Sequence, residues 1–163
     1  HAMIVKYNNG VIPSLPTANL KEKSEDPIDE AIRQLALVCI QNDPSTSEFS
    51  KLMKDRELSR ALEHIWSKIK QCDQLINTTE PWKLEKAGEN QKVLQILYWL
   101  SQAIHTIAWE IYPFLPETAV KIAKAYNIEK LLDENPNMFH GIHEWEDEVK
   151  LGEIEQLFPR LTA

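Results

Sequence analysis

At 163 residues the chain is long enough for one domain with a packed core, and 43% apolar with 26% charged residues is the make-up of a soluble globular protein, not a disordered or fibrous one. A net charge of −7 argues against nonspecific nucleic-acid binding, and no run of about 18 uncharged apolar residues offers a membrane span. The acidity is uneven. Residues 129–163 hold nine acids against three bases, whereas residues 51–92 hold seven acids against nine bases, so the tail is acidic and the middle mildly basic.

In chain order, His1-Ala2 reads as a tag remnant and residues 3–163 as the domain; no signal peptide is legible at the start. After the Pro-marked extended stretch "IPSLPTANL", Asp26-Pro27 has the form of an N-cap followed by proline at the first helical position. Ile28, Ala31, Ile32, Leu35, Val38 and Cys39 then recur at helical spacing, and Asn42-Asp43-Pro44 closes that helix. A longer helix is expected over 47–77. Leu58, Ala61, Leu62, Ile65, Trp66, Ile69, Cys72 and Ile76 form its apolar stripe, and Lys51, Lys54, Arg56, Arg60, Lys68 and Lys70 occupy much of the remainder.

A third helix is expected over 89–112. It has one apolar face from Val93 to Ile111 and a second from Leu94, Tyr98, Trp99 and Ala103, which marks it as the centre of a bundle. Pro113-Phe114-Leu115-Pro116 breaks it, and "ETAVKIAKAYN" begins a fourth helix. Only four glycines interrupt the chain and nothing alternates with a period of two, so the fold class is all-α. From Asn127 onward the pattern reads as short helical turns and loop.

No catalytic apparatus is legible. There is no Gly-rich phosphate loop, nucleophile elbow or Ser/His/Asp set. His140 and His143 in "HGIH" lack a third ligand at zinc spacing, so no metal site is expected. The "EWEDE" run at 144–148 reads as a solvated acidic loop, with Trp145 covering the bundle. His64 and His105 read as packing residues. Cys39 and Cys72 lie in apolar helical patterns and read as two buried thiols in a reducing, cytoplasmic setting. Trp66, Trp99 and Trp109 fall inside helices and read as core. Trp82 differs, because "INTTEPWKLEK" sets it at a helix break, after Pro81 and beside Lys83 and Lys86. That placement suits either a cap over a helix junction or an aromatic offered to a ligand.

Four stretches in order resemble the anticodon-binding domain of the methionyl-tRNA synthetase family. "CDQLINTTEPWKLEK" is similar to its I-x-x-x-x-P-W-x-L-x-K, and "YPFLPETAVKI" to its P-F-x-P-E-T-A-x-K-I. "EQLFPRL" resembles its closing L-F-P-R segment, and "MIVKYNNGVIP" the end of its first helix. The resemblance spans nearly the whole chain. It implies the anticodon-binding helical bundle of class I aminoacyl-tRNA synthetases, here the C-terminal part of a methionine–tRNA ligase, with its first helix truncated. It also implies a methionine-accepting tRNA as partner. ATP, and a place for zinc, would belong to a catalytic domain of the same protein and not to this stretch.

By the same resemblance Trp82 stacks on the first anticodon base, with Pro81, Lys83, Lys86, Asn77 and Asp73 around it. The family's N-L-x-x-R readers would lie just before Met3. Asp73 stands in place of the usual asparagine, Leu75 of the usual aromatic, and Asn77 where bacterial members often carry an acid. The other readings are the anticodon domain of another class I synthetase, such as the leucyl or valyl enzyme, and a free-standing helical interaction module.

Overall fold

The computed structural model describes residues 1–14, 23–40, 47–128, 149–154 and 157. They form seven helices: α1 (Ala2–Asn8), α2 (Pro27–Ile40), α3 (Glu48–Lys54), α4 (Leu58–Thr79), α5 (Pro81–Lys86), α6 (Asn90–Ile111) and α7 (Pro116–Tyr126). Among the described residues there is no strand, only an isolated antiparallel bridge between Val11 and Lys150. The all-α expectation therefore holds. His140, His143, the 144–148 run, Trp145, Asn42-Asp43-Pro44 and most of the closing L-F-P-R lie outside the described residues.

The bundle is arranged around α6, which contacts α1, α2, α4, α5 and α7. Its two apolar faces leave it buried nearly all round, as two-sided hydrophobicity requires. Val93, Ile96, Leu97, Tyr98, Trp99, Leu100, Ala103 and Ala108 are all in the core. Trp99 packs edge-on against Tyr98, with ring centres 5.0 Å apart, a favoured aromatic geometry. Two polar side chains on α6 are satisfied within the helix: Ser101 Oγ donates to Leu97 O at 2.8 Å, and Gln102 Nε2 to Tyr98 Oη at 3.0 Å. The start of α2 follows its sequence signal, since Asp26 accepts from the Ile28 amide at 2.7 Å with Pro27 between them. Lys92 of α6 reaches that start, 2.9 Å from Asp26 and 3.6 Å from Asp29, and also lies 3.3 Å from Glu89. Its ammonium is held above the ordinary lysine range chiefly by Asp26.

The single helix expected over 47–77 is instead two, α3 and α4. Arg56 takes a left-handed conformation, φ 62°. The Arg56 amide donates to Met53 O and the Glu57 amide to Leu52 O, the paired bonds that close a helix after a left-handed residue. Glycine normally marks such a site; arginine gives no warning. Two members of the expected stripe are also displaced, as Leu58 and Trp66 are 51% and 52% exposed. Trp66 sits instead with Ser59, Glu63, Lys70, Asp73 and Asn77, all exposed and spaced by three or four. Of the remaining tryptophans read as core, Trp99 is fully buried and Trp109 half-buried, edge-on to Phe49.

Lys68, read as part of the solvated face, is buried. Its Nζ lies 2.5 Å from Oε1 of Glu110, which is also buried. Burial pushes the lysine below and the glutamate above their usual ranges. His64 approaches Glu110 at 4.0 Å, and its own burial keeps it below the usual histidine range. Both thiols are free; Cys39 is buried as read, whereas Cys72 is only partly buried. Cys39 Sγ points at Trp99 O, 3.8 Å away, and burial raises Cys39 to about 12 and Cys72 to about 11. Neither thiol is poised to react.

Two outcomes follow from this core. Trp99→Ala removes a fully enclosed aromatic and is expected to cost about 3–5 kcal/mol in urea unfolding. Replacing Lys68 alone by Met strands a buried carboxylate and is expected to cost about 3–5 kcal/mol. The double replacement Lys68→Met/Glu110→Leu should recover most of that loss, because the pair's desolvation cost disappears with it. The same unfolding measurement on both variants checks the difference.

Candidate RNA-binding site at the Glu80–Pro81 break

The break after α4 is enforced covalently and then fixed by packing. Proline has no amide hydrogen and disfavours helical geometry in the residue before it. Glu80 accordingly leaves the helix for the left-handed region at φ 42°, ψ 63°, where a residue with a Cβ carries strain. The last turn of α4 is closed by the Glu80 amide on Ile76 O, 3.0 Å, and by the buried Thr79 hydroxyl on Leu75 O, 2.8 Å. Pro81 then occupies the first position of α5, where its fixed φ suits a helix start.

Although α5 is only six residues long, both its ends are defined. At the far end Gly88, at φ 81°, donates to Glu85 O, and Glu89 donates to Leu84 O, each at 3.0 Å. That backbone is one that glycine adopts without strain. Pro81 and Leu84, three apart, face inward and are buried, Leu84 joining the core built on α6. Trp82, Lys83, Glu85 and Lys86 are thereby turned outward. Trp82 is 38% exposed. A large aromatic would ordinarily be recruited to the core, but here its neighbours hold the inward positions.

The other residues read as site members are placed consistently with this. Asp73 and Asn77 are exposed four residues apart on one face of α4, and Asn77 and Trp82 flank the Glu80 break. Lys83 and Lys86 are both exposed, but they differ. Lys83 Nζ lies 2.6 Å from Glu80 Oε2 in a solvated pair, whereas Lys86 has no ion-pair partner among the described residues. A solvated pair of this kind is worth about 0–1 kcal/mol, so a phosphate could displace it. No group of three or more His, Cys, Asp or Glu suited to a metal occurs among the described residues.

Sequence reasoning missed the exposure of Trp66. The signal was present, because Glu63, Lys70 and Asp73 stand three, four and seven residues from it. It also missed an open cleft of about 370 Å³ beside α5, lined by Lys6, Tyr7, Asn8, Glu85, Asn90, Val93 and Leu94. Only folding brings α1, α5 and α6 together there.

Comparison with known proteins covers nearly the whole chain. A protein of Fusobacterium nucleatum is 34% identical over 163 residues, covering 98% of this chain, and one of Clostridium acetobutylicum is 33% identical over 164 residues, covering 99%. A Bacillus subtilis protein is 27% identical over 165 residues, again 99% of this chain. All three are named methionine–tRNA ligase. The chain is related to methionine–tRNA ligase. It spans 23% of the length of these relatives, so it corresponds to a part of such a ligase and not to the whole. No family model matches. No helix among the described residues is long and apolar enough to cross a membrane.

The geometry of α5 yields a contrast between two adjacent positions. Leu84→Ala is expected to destabilise the protein by about 2–5 kcal/mol, because it removes the inward anchor of α5. Trp82→Ala should cost no more than about 1 kcal/mol. Thermal unfolding of the two variants side by side tests whether Trp82 is displayed or structural.

Proposed function

We propose that this chain is the anticodon-binding part of a cytoplasmic methionine–tRNA ligase, holding the anticodon stem-loop of a methionine-accepting tRNA while another part of the same protein joins methionine to that tRNA with ATP. The observation that carries the reading is Trp82. It is an aromatic held partly in solvent at a left-handed break by the inward burial of Pro81 and Leu84, in a chain related over nearly its whole length to methionine–tRNA ligases. A base drawn out of the anticodon stack needs an apolar face to replace its lost neighbours, and a tryptophan at a helix break offers one outside the packed core. Such stacking is worth about 1–3 kcal/mol per base.

The polar surroundings suit the same ligand. Lys86 and Lys83 supply cations to backbone phosphates, a contribution that weakens as salt displaces it. Asn77 and Asp73 offer an amide and a carboxylate to base edges from the end of α4. ATP, and zinc where a ligase of this kind uses it, would be held by residues outside this chain. The work of these 163 residues is recognition.

An RNA hairpin with a CAU anticodon should therefore bind at low salt, and Trp82→Ala should weaken it by about 1–3 kcal/mol. Trp82→Phe, which keeps a smaller aromatic face, should recover part of the loss. Fluorescence anisotropy with labelled hairpin reads both variants. Unchanged affinity in folded Trp82→Ala would reduce Trp82 to a junction cap and overturn the stacking role.

A further inference from the structure

The exposed face of α4 carries a pattern that the Trp82 platform does not use. At its middle stands Trp66, 52% exposed although Ala61 and Ile65 on the inner face are fully buried. Glu63 lies three residues before it and Lys70 four after, so each sits one turn away on the same face. Ser59 and Asp73, two turns out in either direction, continue the row, and all of these side chains are exposed. Glu63 and Lys70 are about 10 Å apart along the helix axis, too far to pair with each other. None of Glu63, Lys70 and Asp73 has an ion-pair partner among the described residues. Trp66 also stands about 20 Å along the axis from the end of α4 at Thr79, well away from the stacking platform.

A two-fold axis can set a helix antiparallel to its own copy, so that each position meets the one equally far beyond the centre. With the centre between Trp66 and Ser67, Trp66 meets Trp66 of the second copy. Glu63 then faces Lys70 of the second copy, and Lys70 faces its Glu63, because the two positions are equidistant from that centre. Asp73 comes beside the Ser59 hydroxyl of the second copy. A parallel alignment would instead oppose Glu63 to Glu63 and Lys70 to Lys70. The charge order therefore favours one self-pairing and repels the other. We infer that the exposed face of α4 is a self-association surface, on which two copies of this chain pair antiparallel through Trp66 and two Glu63–Lys70 contacts. Tryptophan is enriched among the side chains that anchor interfaces. Here the charges flank it and set the orientation, as they do beside the apolar seam of paired helices. One helix face buries less than the roughly 1,200 Å² of a standard interface, so the pairing is a transient one that forms at high concentration.

Sedimentation equilibrium of the 163-residue chain, run from about 10 µM to about 1 mM, should show a monomer–dimer equilibrium. Trp66→Ala should weaken it by about 10-fold or more. Glu63→Lys and Lys70→Glu, each alone, put like charges opposite one another and should weaken it by about 10-fold. Mixing these two single variants, or combining both changes in one chain, restores opposite charges at both contacts. Either should bring association back to within about 3-fold of the unaltered chain. In a parallel pair the combined change would leave like charges opposed. Circular dichroism checks that each variant is folded, as expected for three exposed positions. A chain that stays monomeric throughout the range overturns the inference. So does a dimer that tolerates Trp66→Ala, or one whose charge variants are not rescued by combination, since either places the contact elsewhere.

Discussion

The burial of α6 on nearly all sides is the constraint from which the rest of the structure follows. Trp99 and Tyr98 on one side and Ile96, Leu97 and Leu100 along the core leave no face for solvent. Five other helices must therefore cover it, and each is positioned by that contact. A helix so enclosed has to satisfy its own polar groups. Ser101 and Gln102 do so within α6, while Glu110 depends on Lys68 of α4. That pair joins α4 to α6 at a desolvation cost that apolar residues would avoid. It provides register between two 22-residue helices, since a charge removed from water accepts few alternative alignments.

Display of Trp82 is a second consequence of the same core. The short α5 would have little reason to persist alone, because six residues cannot recover the cost of nucleating a helix. It persists because Leu84 inserts into the core around α6 and because backbone bonds at Glu80 and Gly88 define its two ends. With the inward positions taken by Pro81 and Leu84, the outward ones must go to Trp82, Glu85 and Lys86. Strain at Glu80 and partial exposure of a tryptophan both oppose folding, and burial elsewhere offsets them. Local features that cost stability are common where a surface serves recognition.

Charge follows a similar division. An overall charge of −7 is a poor platform for RNA, yet the mildly basic stretch 51–92 includes α5 and most of α4. Locally the cations are unevenly committed: Lys92 is engaged by three carboxylates and Lys68 is buried with Glu110, while Lys86 and Lys6 have no carboxylate partner among the described residues. A short-range, site-directed attraction to phosphate is compatible with a net acidic chain because salt screens the distant acids more than the adjacent lysines.

Much of this was legible in the sequence, for reasons that are local. Helical periodicity depends on a fixed rise and turn per residue, so α2, α6 and α7 could be read from spacing alone, and Asp26-Pro27 marked the start of α2. Two apolar faces on one helix announced its central place. Pro81 made the break before Trp82 legible, because proline's missing amide acts whatever surrounds it. The break at Arg56 was not legible: a left-handed arginine has no compositional mark, and it is settled by how α3 and α4 pack. Nor did periodicity reveal the burial of Lys68, which depends on Glu110 from a helix 42 residues away meeting it. Trp66 turned outward because Ile65 and Ala61 took the inward positions beside it. The cleft required three helices to converge. Sequence determined which segments are helical and where covalent chemistry interrupts them; tertiary packing alone decided which side chains lose their water, because burial is a property of neighbours that the chain acquires only on folding.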